Sequence, residues 1–109
     1  MTKEADYLLC VLYREYKSRR ADGKSRSDSS DFGSSQNVFN NFFAEWDLED
    51  IDDTLRELHR LGYVKCLFAD DTVYNFSMTT EGIASMEQRF ANKMTNLLDT
   101  IVKLKSLIC

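Results

Sequence analysis

Proline is absent from the 109 residues and glycine occurs only four times, so little in the chain breaks a helix and nothing resembles a collagen or a flexible linker. Histidine occurs once, at His59, and the cysteines Cys10, Cys66 and Cys109 stand far apart with no CxxC or CxxH spacing. That pattern supports neither a disulfide framework nor a zinc site, and no metal or other cofactor is expected. No apolar run approaches the roughly 18 residues that cross a bilayer, and the opening MTKEADY lacks the charged-then-apolar layout of a secretion signal. A cytoplasmic protein without a membrane partner is the expectation. Phosphate-cradling glycine loops and nucleophile motifs are missing. The acid run DLEDIDD lacks the glycine and glutamate spacing of a calcium loop, and His59, between Leu58 and Leu61, has no companion that would make it a general base. An enzyme is not expected.

What is present is enough for one folded domain. Hydrophobic residues make up 43% and aromatics 12%, and the 29% that are charged carry both signs, which separates the chain from the disordered class. Eighteen acids against fourteen Lys and Arg leave a formal charge of −4. That is the wrong sign for a surface meant as a whole to embrace phosphates, so any nucleic-acid contact must be local.

Apolar residues Ala5, Leu8, Leu9, Leu12 and Tyr16 recur at three- and four-residue steps and predict a first helix over Lys3 to Lys17. The stretch SRRADGKSRSDSSDFGSS at residues 18–35 is poor in apolar side chains, which predicts a mobile loop. Ser34 or Ser35 can cap a short second helix through Ala44 with Val38, Phe39, Phe42 and Phe43 on its face. Asp47 opens a third, whose buried row is Leu48, Ile51, Leu55, Leu58 and Leu61, and Gly62 ends it. Tyr63 to Phe68 and Val73 to Met78, around the turn-prone Ala69-Asp70-Asp71-Thr72, predict an antiparallel hairpin. From Thr79 or Thr80 as cap, one unbroken helix is expected to the C-terminus, about 42 Å long at 1.5 Å per residue. Its row Ile83, Met86, Phe90, Met94, Leu97, Ile101, Leu104 and Ile108 alternates steps of three and four like a coiled-coil seam, with one irregularity, an extra four from Phe90 to Met94, and is widened by Leu98, Val102 and Leu107. A face of that kind requires cover, either from the first helix or from a second copy. A homodimer through Phe90, Met94, Leu97, Leu98, Ile101, Leu104 and Ile108 is the expectation.

The order helix, helix, helix, hairpin, helix resembles a winged helix-turn-helix protein, mainly α with a small β-hairpin and a long C-terminal helix. Leu55-Arg56-Glu57-Leu58-His59-Arg60-Leu61-Gly62-Tyr63-Val64 resembles the end of a recognition helix entering a wing, and Met78-Thr79-Thr80-Glu81-Gly82 resembles the close of the wing in PadR- and MarR-like regulators. Small YjcQ-type proteins, often encoded by phages and prophages, are similar in layout. The resemblance implies a winged-helix domain over residues 1–79, a dimerisation helix over 80–109, a recognition helix over Leu48 to Leu61 and a wing tip at Ala69 to Thr72, with DNA as the partner and transcription regulation as the role.

Charge complicates that implication. Residues 45–60 hold seven acids against Arg56 and Arg60, and the hairpin tip adds Asp70 and Asp71. Carboxylates facing two rows of phosphate are repelled. Positive charge gathers instead on Arg14, Lys17, Arg19, Arg20, Lys24 and Arg26, a local patch that, with Arg56 and Arg60, could hold a nucleic-acid backbone. A dimeric DNA-binding protein using those cations is therefore one expectation. The alternative is a protein-binding module or DNA mimic that offers Glu49, Asp50, Asp53, Asp70 and Asp71 to a basic partner such as a nucleic-acid enzyme.

Overall fold

The computed structural model describes residues 1–91 and 93–108, so Cys109 and Asn92 lie outside it. In chain order the elements are α1 (Lys3–Ala21), α2 (Arg26–Ser30), β1 (Asp31–Gly33), α3 (Ser35–Asn41), α4 (Leu48–Arg60), β2 (Val64–Ala69), β3 (Thr72–Met78), α5 (Thr80–Phe90) and α6 (Met94–Ile108). The protein is mainly helical, with one small three-stranded antiparallel sheet in the order β1-β3-β2.

Helix α1 is the centre. Thr2 caps it by accepting from the Ala5 N–H at 3.1 Å, and every residue from Leu8 to Tyr13 is buried. A helix buried for six consecutive residues, more than a full turn, needs neighbours on all sides. Helix α4 covers one flank and α6 another, with α2 and α5 closing the remainder.

The segment expected to be a mobile loop is ordered. Helix α1 runs on to Ala21, Ser25 caps α2 by accepting from the Asp28 N–H at 3.0 Å, and β1 then pairs with β3. The decisive residue is Phe32, the one large apolar side chain between Tyr16 and Val38. It is 1% exposed and stacks on Phe76 with ring centroids 5.7 Å apart. Arg19 lies over its other surroundings, 4.7 Å from the ring centroid, and donates to the Asp31 carbonyl at 2.7 Å. Composition averaged over the segment hid a single anchor that fixes it.

Ser34 caps α3 as expected, but α3 ends at Asn41 rather than Ala44. Helix α4 buries Ile51, Leu55 and Leu58, while Leu61, expected in that row, is 47% exposed because it sits at the C-terminal cap. Asp47 occupies the N-cap without a side-chain capping bond. Gly62, at φ 85°, closes α4 in a Schellman arrangement: its N–H donates to the His59 carbonyl and that of Tyr63 to the Leu58 carbonyl, each at 3.0 Å. Strands β2 and β3 meet in register Val64↔Met78 to Ala69↔Thr72, joined by Asp70 and Asp71, both with positive φ (52° and 64°). Two consecutive positive φ values match the twist of a two-residue hairpin turn, and Asp is among the residues that accept them. Gly82 then lets α5 start hard against the end of α4, since a Cβ there would lie 2.2 Å from the Tyr63 carbonyl oxygen. Thr79 ties that corner, donating to the Gly62 carbonyl at 2.6 Å and accepting from the Gly82 N–H at 2.9 Å.

The expected continuous C-terminal helix is two helices. Ala91 takes a left-handed conformation (φ 45°, ψ 44°), ends α5, and lets α6 return along α1. The two run antiparallel: Met94 and Leu97 lie by Tyr13 and Lys17, and Ile108 lies by Thr2 and Glu4. The strained alanine costs on the order of 1 kcal/mol. Burying Leu97, Ile101 and Leu104 offsets it several times over, at roughly 1.5 to 3 kcal/mol for each large side chain. Within the chain, α1 covers Leu97, Ile101 and Leu104, whereas Met94, Leu98, Val102 and Leu107 of the expected seam stay exposed.

Replacement of Phe32 by alanine is expected to cost about 3 to 5 kcal/mol, the range for a buried phenylalanine, and to release residues 22–34. Urea denaturation with hydrogen exchange across that segment checks it; a loss below about 1 kcal/mol would mean that Phe32 does not anchor the segment.

Candidate functional site: an acidic groove beside an aromatic cleft

The acids of α4 do not stand alone on a solvated face. Glu57 reaches across to α1, its two carboxylate oxygens accepting from the Thr2 N–H at 2.8 Å and the Thr2 hydroxyl at 2.9 Å. This fork holds the start of α1 against α4 and leaves between them a groove of about 520 Å³. Glu4, Glu45, Asp47, Asp50, Asp53 and Glu57 line it, with Trp46 and Ile108 as its apolar part. No Lys, Arg or His is among its lining residues.

Next to it, sharing Glu45 and Trp46, lies a cleft of about 220 Å³. Its wall is an aromatic group: Tyr7 stacks on Trp46 at 6.0 Å, Phe43 meets Trp46 at 5.0 Å, and Tyr7 meets Phe43 edge-on at 5.8 Å. Asn40, Asn41 and Lys105 complete the rim. Trp46 is only half-buried, so one large indole borders both depressions.

Of the acids proposed from sequence for a basic partner, the structure brings Asp50 and Asp53 into this groove. Glu49, Asp70 and Asp71 are exposed but not part of its lining. Asp70 and Asp71 make the hairpin turn, and the Asp71 carbonyl accepts from Arg56. Glu45 and Glu57 entered the sequence reading through their charge, Asp47 also as a helix cap and Ile108 as part of the dimer seam, while Glu4 and Trp46 went unnoticed. The sole tryptophan, placed between Glu45 and Asp47, was the available signal.

The cations nominated for nucleic acid do not form one free set. Arg19 pairs with Glu15 at 3.1 Å, donates to the Asp31 carbonyl and covers Phe32. Arg20 donates to the Lys24 carbonyl at 2.9 Å. Arg56 lies 4.7 Å from the Phe68 ring centroid. Arg14, Lys17, Lys24, Arg26 and Arg60 have no side-chain hydrogen bond or ion pair among the described residues. Of the residues nominated for a dimer, Phe90, Leu97, Ile101 and Leu104 are buried within the chain, Ile108 is half-buried, and Met94 and Leu98 are exposed. Val102 and Leu107, read as part of the same seam, face solvent at 69% and 52% exposure.

The remaining polar chemistry is structural. His59 is exposed, and its Nδ1 accepts from the Cys66 N–H at 3.2 Å, satisfying a backbone donor of β2. Cys10 and Cys66 are buried. Burial, reinforced by the Asp6 carboxylate, pushes the Cys10 thiol from 9.0 up to about 12, and burial likewise pushes Cys66 up to about 11. Among the described residues no group of three or more His, Cys, Asp or Glu could hold a metal ion, and no helix is long and apolar enough to cross a membrane. The chain matches no protein-family model, and searches of curated proteins and of solved structures found no match either.

The thiols have a consequence for pH. A folded-state pKa raised above the unfolded value means the protonated form is favoured by folding, so this stabilisation is complete below pH 9.0 and declines as pH rises towards about 12 and about 11 for the two groups. Native protein is expected to protect Cys10 and Cys66 from a thiol reagent at neutral pH, and replacing both by alanine should flatten the alkaline decline in stability. Rapid labelling of either residue in the folded protein at neutral pH would contradict this.

Proposed function

We propose that the chain is a winged helix-turn-helix domain that works as a protein-binding module, docking a basic protein segment in its acidic groove. Support for the scaffold comes from the order α1, β1, α3, α4 and the β2–β3 hairpin, with the short α2 inserted between α1 and β1, and from the sheet order β1-β3-β2. In that reading α3 and α4 are the helix-turn-helix pair and β2–β3 is the wing. The corner strings Leu61-Gly62-Tyr63 and Thr79-Thr80-Glu81-Gly82 fit it, because Gly62 at positive φ ends α4 and the missing Cβ of Gly82 lets the start of α5 approach Tyr63.

The observation that carries the functional reading is a groove with six carboxylates and no cation along the exposed side of α4. A duplex brought to that face meets like charge, and the cost of stripping counterions gains nothing in return. A peptide rich in Lys or Arg meets complementary charge. Single exposed ion pairs contribute only about 0 to 1 kcal/mol, so affinity rests on several acting together and on the half-buried Trp46, over which a guanidinium or an aromatic side chain can lie.

A second reading, a DNA-binding regulator as in PadR- and MarR-like proteins, is favoured by one feature. Arg14, Lys17, Lys24, Arg26 and Arg60 have no side-chain hydrogen bond or ion pair among the described residues and could serve backbone contact.

Titration with an Arg- and Lys-rich peptide, followed by the fluorescence of Trp46, separates the two. The expected outcome is saturable binding that weakens as salt rises and falls at least about tenfold, roughly 1.4 kcal/mol, in the double variant Asp50→Asn, Asp53→Asn. No change in Trp46 emission, together with retention on random duplex DNA that is lost in a variant lacking Arg14, Lys24 and Arg26, would replace this reading with the second.

A further inference from the structure

We propose that the basic segment docked in the acidic groove also carries a tyrosine, whose ring enters the adjoining aromatic cleft, and that Lys105 turns Lys and Arg away from that cleft. This rests on the docking reading and names the one side chain, beyond cations, that the partner must supply.

The size of the cleft selects a single side chain over a free small molecule. Pockets that hold drug-sized ligands measure roughly 300–1,000 Å³, and this one measures about 220 Å³. Its walls are rings. Tyr7 and Phe42 are half-buried and Phe43 is buried, and a turn holds Trp46, whose N–H donates to the Phe43 carbonyl at 3.0 Å. Tyr7, Phe43 and Trp46 already pack on one another, at 5.8, 6.0 and 5.0 Å between centroids. They present a fixed apolar surface on which a further ring can lie offset or edge-on. Because Trp46 and Glu45 line both depressions, a chain lying in the acidic groove reaches the cleft without leaving the surface.

The polar rim decides which ring. Asn40 Oδ1 accepts from Gln36 Nε2 at 3.0 Å, and Asn41 Nδ2 donates to the Asn37 carbonyl and to Asn37 Oδ1, each at 2.9 Å. Among the described residues this leaves Asn40 Nδ2 as a donor and Asn41 Oδ1 as an acceptor without protein partners. A phenol hydroxyl both donates and accepts, so tyrosine matches the rim where phenylalanine leaves it unmet. Charge then separates the two depressions. The cleft's lining carries one cation, Lys105, and one acid, Glu45, against six acids and no cation in the groove. A Lys or Arg side chain therefore favours the groove. A neutral ring is what the cleft retains, with the Lys105 ammonium placed to attract its face.

The test is calorimetric titration of the full chain with synthetic peptides that join a short run of Lys and Arg to one variable residue, placed before the run in one series and after it in another. In the tighter series tyrosine is expected to bind best, with phenylalanine about two- to tenfold weaker and alanine at least about tenfold weaker. Arginine at that place should stay at least about fivefold below tyrosine. Asn40→Ala, at an exposed position, should bring the tyrosine peptide down to the phenylalanine level and leave the phenylalanine peptide within about twofold. Lys105→Gln, also exposed, should raise the arginine peptide at least about twofold relative to the alanine one. Alanine or arginine binding as well as tyrosine, while Asp50→Asn with Asp53→Asn still weakens every peptide, overturns the tyrosine anchor and leaves the groove standing. Equal binding of tyrosine and phenylalanine, or an arginine peptide that gains nothing in Lys105→Gln, overturns it too. Binding by none of the peptides, or binding indifferent to Asp50→Asn with Asp53→Asn, overturns the docking reading and this proposal with it.

Discussion

Six consecutive buried residues in α1, Leu8 to Tyr13, set the terms for the rest of the molecule. A helix can bury one face against one neighbour, but burying its whole circumference requires a ring of them. Helix α4 and the sheet behind it cover only part of that ring. The remainder is filled by α6, and α6 reaches it only because the chain reverses at Ala91. The strained alanine is thus a consequence of α1: the apolar surface gained along Leu97, Ile101 and Leu104 outweighs the left-handed backbone.

Charge is distributed by a parallel logic. Arg19, Arg56 and Arg89 lie over Phe32, Phe68 and Phe90, at 4.7, 4.7 and 5.0 Å from the ring centroids. Arg19 and Arg89 thus cover rings of the core, and Arg56 covers Phe68, which is 41% exposed. Two of them also donate to backbone carbonyls, and the third pairs with Asp6. Cations committed to such work do not offset the acids on the neighbouring surface. The groove between α1 and α4 is accordingly more one-sided than a formal charge of −4 over 109 residues suggests.

The parts legible in the sequence were those with local causes. The caps at Ser34 and Thr79, the stop at Gly62, the Asp70-Asp71 turn and the buried row Ile51, Leu55 and Leu58 each follow from residues within one turn or one hairpin. Strand β1 was hidden because three residues carry too little pattern, and its partner β3 lies more than forty residues on. The groove was half legible. Its acids on α4 stand out as a charge run, but the Thr2–Glu57 fork that sets α1 opposite them joins residues 55 apart in sequence, and no spacing rule reports it.

The sequence by itself determined α1, α3, α4, the hairpin, the start of α5 and the unbalanced acids, because propensity, capping and periodicity act over a few residues. Only the tertiary structure decided that residues 18–35 are ordered, that the C-terminal seam closes on its own α1, and which carboxylates share a groove. Those outcomes depend on how much apolar surface remains uncovered once the other elements have packed, a quantity that belongs to the whole chain and to no segment of it. The three- and four-residue period, with its one extra step from Phe90 to Met94, describes a single helix that the folded chain breaks at Ala91, since cover for α1 stabilises the chain more than one strained residue costs it.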